Sequence, residues 1–169
     1  MSDVQCHNKP VQLSAEVRAR IDAWIAKYPA DQKQSAVLSA LHYVQEENGG
    51  WVTRDLMEAI ADYLDMPAMR VFEVGTFYSM IELEPVGRHM VALCTNLSCM
   101  LCGADSIVSH VEKKLGIKLG ETTSEGRITL KLEEECLAAC AGGPMMAVDG
   151  HYHENLTPEK VDRILDALE

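Results

Sequence analysis

No stretch of this 169-residue chain approaches the roughly 20 consecutive apolar residues that a membrane-spanning helix requires, so the sequence predicts no direct membrane insertion. The N-terminus, MSDVQCHNKPVQLS, lacks the basic-then-apolar layout of a secretory signal. The expectation is a cytoplasmic protein, or one held peripherally on the cytoplasmic side of a membrane. Basic residues are scarce: 15 Lys and Arg stand against 26 Asp and Glu, a net charge of -11. Phosphate backbones and anionic bilayers are bound by cationic surfaces, so nucleic acid is a poor partner and a basic or mixed protein surface a better one. No G-x-G-x-x-G follows a predicted strand and no P-loop occurs, so nothing suggests a nucleotide site of the chain's own.

What is present is clustered cysteine. Four of the six cysteines fall in two close pairs, CTNLSC at 94 to 99 and CLAAC at 136 to 140, spaced C-x4-C and C-x3-C. In a reducing compartment such clusters point to metal binding or redox chemistry and not to disulfides. Four thiolates suit a 2Fe-2S cluster or a structural zinc. Zinc sites mostly use C-x2-C turns to bring two sulfurs to one ion, whereas gaps of four and three wrap around a larger object, which favours iron and sulfur. Cys102 complicates the count, because Cys94, Cys99 and Cys102 match the start of a plant-type ferredoxin pattern that either Cys136 or Cys140 would complete. Spacing alone leaves that choice open. The plainer reading of Cys102 is a partly buried free thiol, and Cys6, in a polar tail, is a bystander.

The first half of the chain reads as helices. Ser14 caps one that carries Val17, Ile21, Trp24, Ile25 and Tyr28. A second, with Val37, Leu38, Leu41 and Val44, stops at NGG; Thr53 caps a third; Pro67 opens a fourth with Val71, Val74, Phe77, Tyr78 and Ile81. Together they predict a small helical bundle over residues 1–84, with Trp24 and Trp51 as anchors. At Pro85 and Gly87 the pattern changes. HMVALC is a strand ending at the first cysteine, a helix runs from about Gly103 to Leu115, and RITLKLE alternates as a half-buried strand before the second cysteine pair. Met145 and Met146 are expected to alternate between sheet core and surface. MMAVDG and HYHENL form a hairpin at Asp149-Gly150, and Thr157 caps a closing helix. The fold class is α/β: a helical domain, then a thioredoxin-like α/β domain over 85–169. Both cysteine loops follow strands. If those strands are neighbours, the loops leave the same edge of the sheet, and four thiolates converge despite the 36 residues between Cys99 and Cys136.

The segments GTFYSMIELEPVGRH, CTNLSC, KKLGIKLGETTSEGRITL and CLAACAGGPMM together resemble the thioredoxin-like 2Fe-2S subunit of NADH-quinone oxidoreductase, respiratory complex I, known in bacteria as the E subunit. The resemblance implies that Cys94, Cys99, Cys136 and Cys140 hold one 2Fe-2S cluster. It assigns Cys102 no role. It also implies a partner, a larger flavoprotein subunit that binds NADH and FMN and trades electrons with the cluster, alongside other peripheral-arm subunits. The same module occurs in NAD-linked hydrogenases and formate dehydrogenases, where this chain would be the small diaphorase subunit.

Several residues near the cysteines have two readings. Gly142, Gly143 and Pro144 either form a plain turn or let backbone amides approach sulfur, with Pro144 in cis as the less favoured option on base rates. His151 and His153 share one strand face at a spacing a metal can use, although surface histidines are commoner; His89 and His110 pack or face solvent. The run Glu133 to Glu135 leads into Cys136. One carboxylate about 8 Å away, at an effective dielectric of 20, opposes an added electron by roughly 2 kcal/mol, on the order of 0.1 V before screening. The sequence thus predicts a low-potential cluster, and a redox titration followed by EPR should give a midpoint below zero volts.

Overall fold

The computed structural model describes residues 11–132 and 136–169, so Cys6 and the Glu133 to Glu135 run lie outside the described residues. The chain divides into two compact units, Met1–Pro85 and Val86–Glu169.

In the first unit, α1 (Ala15–Ile25), α2 (Val37–Glu47), α3 (Arg54–Leu64) and α4 (Ala68–Phe77) surround a core that includes Ile21, Leu41, Ile60, Leu64 and Val71. Trp24 packs on its margin. The helix starts follow from side chains that satisfy otherwise unpaired amides: Ser14 Oγ accepts from the Val17 N–H at 3.1 Å and Thr53 Oγ1 from the Leu56 N–H at 3.2 Å. The fourth helix is shorter than its apolar pattern suggests. It ends at Phe77, which is exposed, and Tyr78 turns to extended backbone. Gln45 then clamps the next segment, its amide donating to the Met80 carbonyl at 3.0 Å and accepting from the Glu82 N–H at 2.7 Å. Ile81 thereby reaches the core from a turn and not from a helix.

The second unit is a four-stranded sheet in the order β2-β1-β3-β4, formed by β1 (His89–Leu93), β2 (Ile128–Leu130), β3 (Met146–Val148) and β4 (His151–His153). Helices α6 (Ala104–Leu115) and α7 (Pro158–Asp166) pack their apolar stripes, Ile107 and Val111 with Val161 and Leu165, against Val91, Leu93, Ile128, Leu130, Met146 and Val148. Strand β1 pairs parallel with β2 and antiparallel with β3. A five-residue helix, α5 (Leu97–Leu101), sits inside the first cysteine loop, where the sequence pattern gave no sign of one.

Two expectations about burial are corrected. β2 ends at Leu130, and Leu132 is 64% exposed. Thr129, on the polar side of the alternation, is buried because its hydroxyl accepts from the Gly87 N–H at 2.6 Å and bonds Thr122 Oγ1 at 2.7 Å. Met145 and Met146 are both buried: Met146 belongs to the sheet core, while Met145 packs on Cys94 and Cys99. Among the described residues no helix is long and apolar enough to cross a membrane.

The β3–β4 turn is tied back to β1. Asp149 Oδ1 accepts from the Met90 N–H at 2.8 Å and Oδ2 bonds His89 Nδ1 at 2.7 Å. The Asp149 carboxylate, helped by the Glu169 carbonyl and opposed by burial, raises the His89 pKa. A raised folded-state pKa gives stability that is complete below about pH 6.5 and is lost as pH rises through the folded-state value. Asp149→Asn keeps a residue tolerant of φ 50° but removes the charge. It is expected to lower the urea midpoint more at about pH 6 than at about pH 9, and equal losses at both would refute the linkage.

Candidate metal centre

The parallel pairing of β1 and β2 points the ends of both strands the same way. Cys94 leaves β1 directly and Cys99 lies on α5; both are buried, with Met145, Ala104, Leu137 and Ala139 around them. Cys136 and Cys140 follow β2 and are exposed. Between them Ala138 takes φ 58°, a left-handed turn that folds the C-x3-C segment back on itself. Their sulfurs stand 3.7 Å apart. Two thiolates at about 2.3 Å from one tetrahedral metal are separated by about 3.8 Å, so this pair is already spaced to share an ion.

Backbone amides serve these sulfurs. Burial opposes ionisation of Cys94, yet the N–H groups of Leu137 and Asn96, with hydrogen bonds from the Cys99 and Cys136 thiols, outweigh it and hold this thiol below its ordinary value. Burial, then the Cys94 thiol and its charge, push Cys99 up to about 11. The Ala138 N–H stabilises the Cys136 thiolate. The Cys140 thiol, desolvation and the neighbouring charges together outweigh that amide and raise Cys136 above its ordinary value. Each of these three thiols therefore senses at least two others of the set, and Cys99 and Cys136 resist ionisation in the absence of added positive charge. A metal centre supplies that charge. Among the described residues no three His, Cys, Asp or Glu side chains close on one point as a single ion requires. The donors are arranged as two pairs.

Cys102 caps α5 and is exposed. A Cβ placed on Gly143 would stand 3.4 Å from Cys99 Sγ and 3.5 Å from Cys102 Sγ, so Cys102 borders the site across the bare Gly143 backbone. The Gly143–Pro144 bond is cis. His151 and His153 are on β4, with His153 below its ordinary pKa through burial, Lys160 and His151. His110 bonds Asp162 at 2.8 Å. Two features were not foreseen from the sequence. Met145 gives its carbonyl to the Cys94 N–H at 3.1 Å and its own amide to the Cys99 sulfur. Helix α5 turns Leu97 and Leu101, 68% and 76% exposed, outward beside the cysteines. Leu97 and Leu101, spaced i, i+4 around Cys99, make a single helical pair, too short a pattern to predict a helix.

A family model described as thioredoxin-like [2Fe-2S] ferredoxin matches residues 21–169. The chain belongs to that family. It is 46% identical over 142 residues to the E subunit of NADH-quinone oxidoreductase from Rickettsia felis, covering 84% of each chain. It is 40% identical over 152 residues to the counterpart numbered E 2 in Rhizobium meliloti, covering 90% of this chain and 88% of the other. Its fold is also similar to part of an NAD+-reducing [NiFe]-hydrogenase solved in the air-oxidized state, with TM-score 0.65 and 15% identity over 78% of this chain and 22% of that longer one. At that identity the likeness concerns the fold alone. A 2Fe-2S centre fits the donors present: two pairs of thiols, one pair at tetrahedral spacing, with amides directed at sulfur.

The loop after Cys140 has no room for a larger residue at Gly142. A Cβ there would come within 2.7 Å of Glu154 Cβ and closer still to Glu154 Oε2. Gly142→Ala is therefore expected to destabilise the apo chain by about 1–3 kcal/mol in urea unfolding, and adding Glu154→Gly to recover part of it. No recovery in the double variant would refute the contact.

Proposed function

We propose that this chain is the 2Fe-2S electron-transfer subunit of an NADH-quinone oxidoreductase, complex I, with Cys94, Cys99, Cys136 and Cys140 as the cluster ligands. The observation that carries the reading is identity of 40–46% to subunits of that name along 84–90% of the chain, joined to four thiols gathered at one end of the sheet. A bound 2Fe-2S cluster supplies one-electron transfer. The chain's own residues contribute the rest: thiolates as ligands, the Asn96, Leu137, Ala138 and Met145 amides as donors that lower the cost of added negative charge, and the apolar packing of Met145 and Ala104 that keeps water from the Cys94 and Cys99 side. The partner is the NADH-oxidising flavoprotein subunit with its FMN and NAD, and the assembly is peripheral on the cytoplasmic face of the membrane. The chain neither binds quinone nor pumps protons itself. The hydrogenase likeness is one of fold at 15% identity, and therefore gives the diaphorase alternative less support than the named relatives give complex I.

Purified protein should show visible charge-transfer absorption and, after dithionite reduction, the EPR signal of a 2Fe-2S centre. Cys102→Ser is expected to keep both, while Cys140→Ser loses or distorts them. The reverse pattern overturns the ligand assignment, and bound zinc with no absorption overturns the redox role altogether. Co-purification with hydrogenase or formate dehydrogenase subunits in place of a quinone reductase would move the chain to the alternative assembly.

A further inference from the structure

A groove of about 600 Å³ opens between the β3–β4 hairpin and α7, away from the cysteines in sequence, with a floor that includes Ile164 and Leu168. Its polar lining holds two permanent cations, Lys160 and Arg163, two histidines, His151 and His153, and one carboxylate, Asp149. In a chain of net charge -11 that concentration of basic residues is unusual. None of the four basic residues forms an ion pair among the described residues. Lys160 Nζ donates to the Glu154 carbonyl, and Arg163 Nε donates to the Glu159 carbonyl at 3.4 Å. Three carboxylates nearby are committed elsewhere. Asp149 bonds His89 and the Met90 N–H; Asp162 bonds His110 at 2.8 Å, and Asp166 bonds Lys114 at 2.7 Å on the side of α7 that faces α6. Helix α7 is thus two-sided, with acids toward α6 and bases toward the groove. Burial, then Lys160 and His151, hold His153 below its ordinary pKa, so the lasting positive charge of the groove is that of Lys160 and Arg163.

The groove runs beside an open sheet edge. Strand β4 is last in the order β2-β1-β3-β4. The Asp149 N–H donates to the Met90 carbonyl and the Cys94 N–H to the Met145 carbonyl, which sets the hydrogen-bonded pairs between β1 and β3 and turns the Ala147 amide toward β1. In the β3–β4 hairpin, Val148 pairs with His151 around the Asp149-Gly150 turn, and Ala147 lies opposite Tyr152. Tyr152 therefore directs its N–H and C=O outward, and it is 53% exposed. An edge with outward backbone groups, next to an apolar floor with a cationic rim, has the features by which one sheet receives a further strand.

We propose that this edge and groove bind an extended acidic segment of a partner protein, which pairs with Tyr152 as an added strand and sets apolar side chains between β4 and α7. Its carboxylates meet Lys160 and Arg163. Charge selects the occupant: a basic segment is repelled at this rim, and the net charge of -11 repels an acidic one across the rest of the surface. The inference does not depend on which assembly holds the chain, or on the cluster.

The test uses the full chain, isotope-labelled for NMR, with the peptide acetyl-Asp-Val-Glu-Val-Asp-Val-amide and the same peptide carrying Lys in place of each acid. The acidic peptide is expected to shift the amides of His151 to His153 and of α7, and the Lys peptide to leave them unmoved. Arg163→Glu should weaken the acidic peptide by at least about tenfold. Tyr152→Pro removes the outward donor and should abolish pairing, while Tyr152→Thr keeps it; both leave an edge strand that tolerates proline. The proposal is overturned if the acidic peptide leaves these amides unmoved, if the Lys peptide binds as well, if Tyr152→Pro binds like Tyr152→Thr, or if acetate or inorganic phosphate alone binds as tightly, which would mark a small-anion site.

Discussion

The parallel pairing of β1 with β2 is the constraint on which the candidate centre rests. Backbone hydrogen bonds align His89, Met90 and Val91 with Ile128, Thr129 and Leu130, so both strands end at one side of the sheet. Because a strand cannot reverse without a turn, the segments that follow must leave from that side. Cys94 follows its strand directly and Cys136 comes six positions after Leu130, which brings within mutual influence two thiols that are 42 positions apart in the chain. A register or direction change in this pair would separate them, whatever the loops did. The buried core under the sheet, from Val91 and Leu130 to Val161 and Leu165, fixes that register by keeping one face apolar.

The second constraint is charge. Ionised thiols this close oppose one another, and the structure divides the problem. Cys94 receives amide donors and ionises more easily, while burial and then the Cys94 thiol push Cys99 up, and the Cys140 thiol with desolvation raises Cys136. The same sorting of charge occurs on α7, where Asp162 and Asp166 serve Lys114 and His110 and leave Lys160 and Arg163 to the opposite side. Segregation of this kind needs only the helical repeat, since positions three and four apart share a face.

Much of the fold was legible in the sequence. Ser14, Thr53 and Thr157 each cap the helix they precede, because a hydroxyl before an apolar 3.6-residue pattern has a local hydrogen bond to make. Asp149-Gly150 turns the hairpin because both residues accept positive φ. The failures have physical causes as well. Phe77 and Leu132 continue an apolar pattern past the point where tertiary contacts end the element: the Gln45 clamp redirects the chain after α4, and β2 ends at Leu130. Thr129 reads as a solvent residue and is buried, since its partners Gly87 and Thr122 are distant or irregular in sequence. Helix α5 was invisible because a five-residue helix with no side-chain cap has too little periodicity to detect.

By itself the sequence determined which residues have the chemistry: two spaced cysteine pairs, the caps, the apolar stripes, and a composition that leaves nucleic acid a poor partner. These are local properties, set by residue type and by spacing over a few positions. Only the tertiary structure decided which of them meet. It brought the two cysteine pairs to one sheet end, buried Met145 against them, left Cys102 across Gly143, and turned Tyr152 to an open edge beside Lys160 and Arg163. The reason is that strand order and direction are chosen by the burial of a whole sheet face, a sum over residues far apart in the chain that no short window of sequence contains.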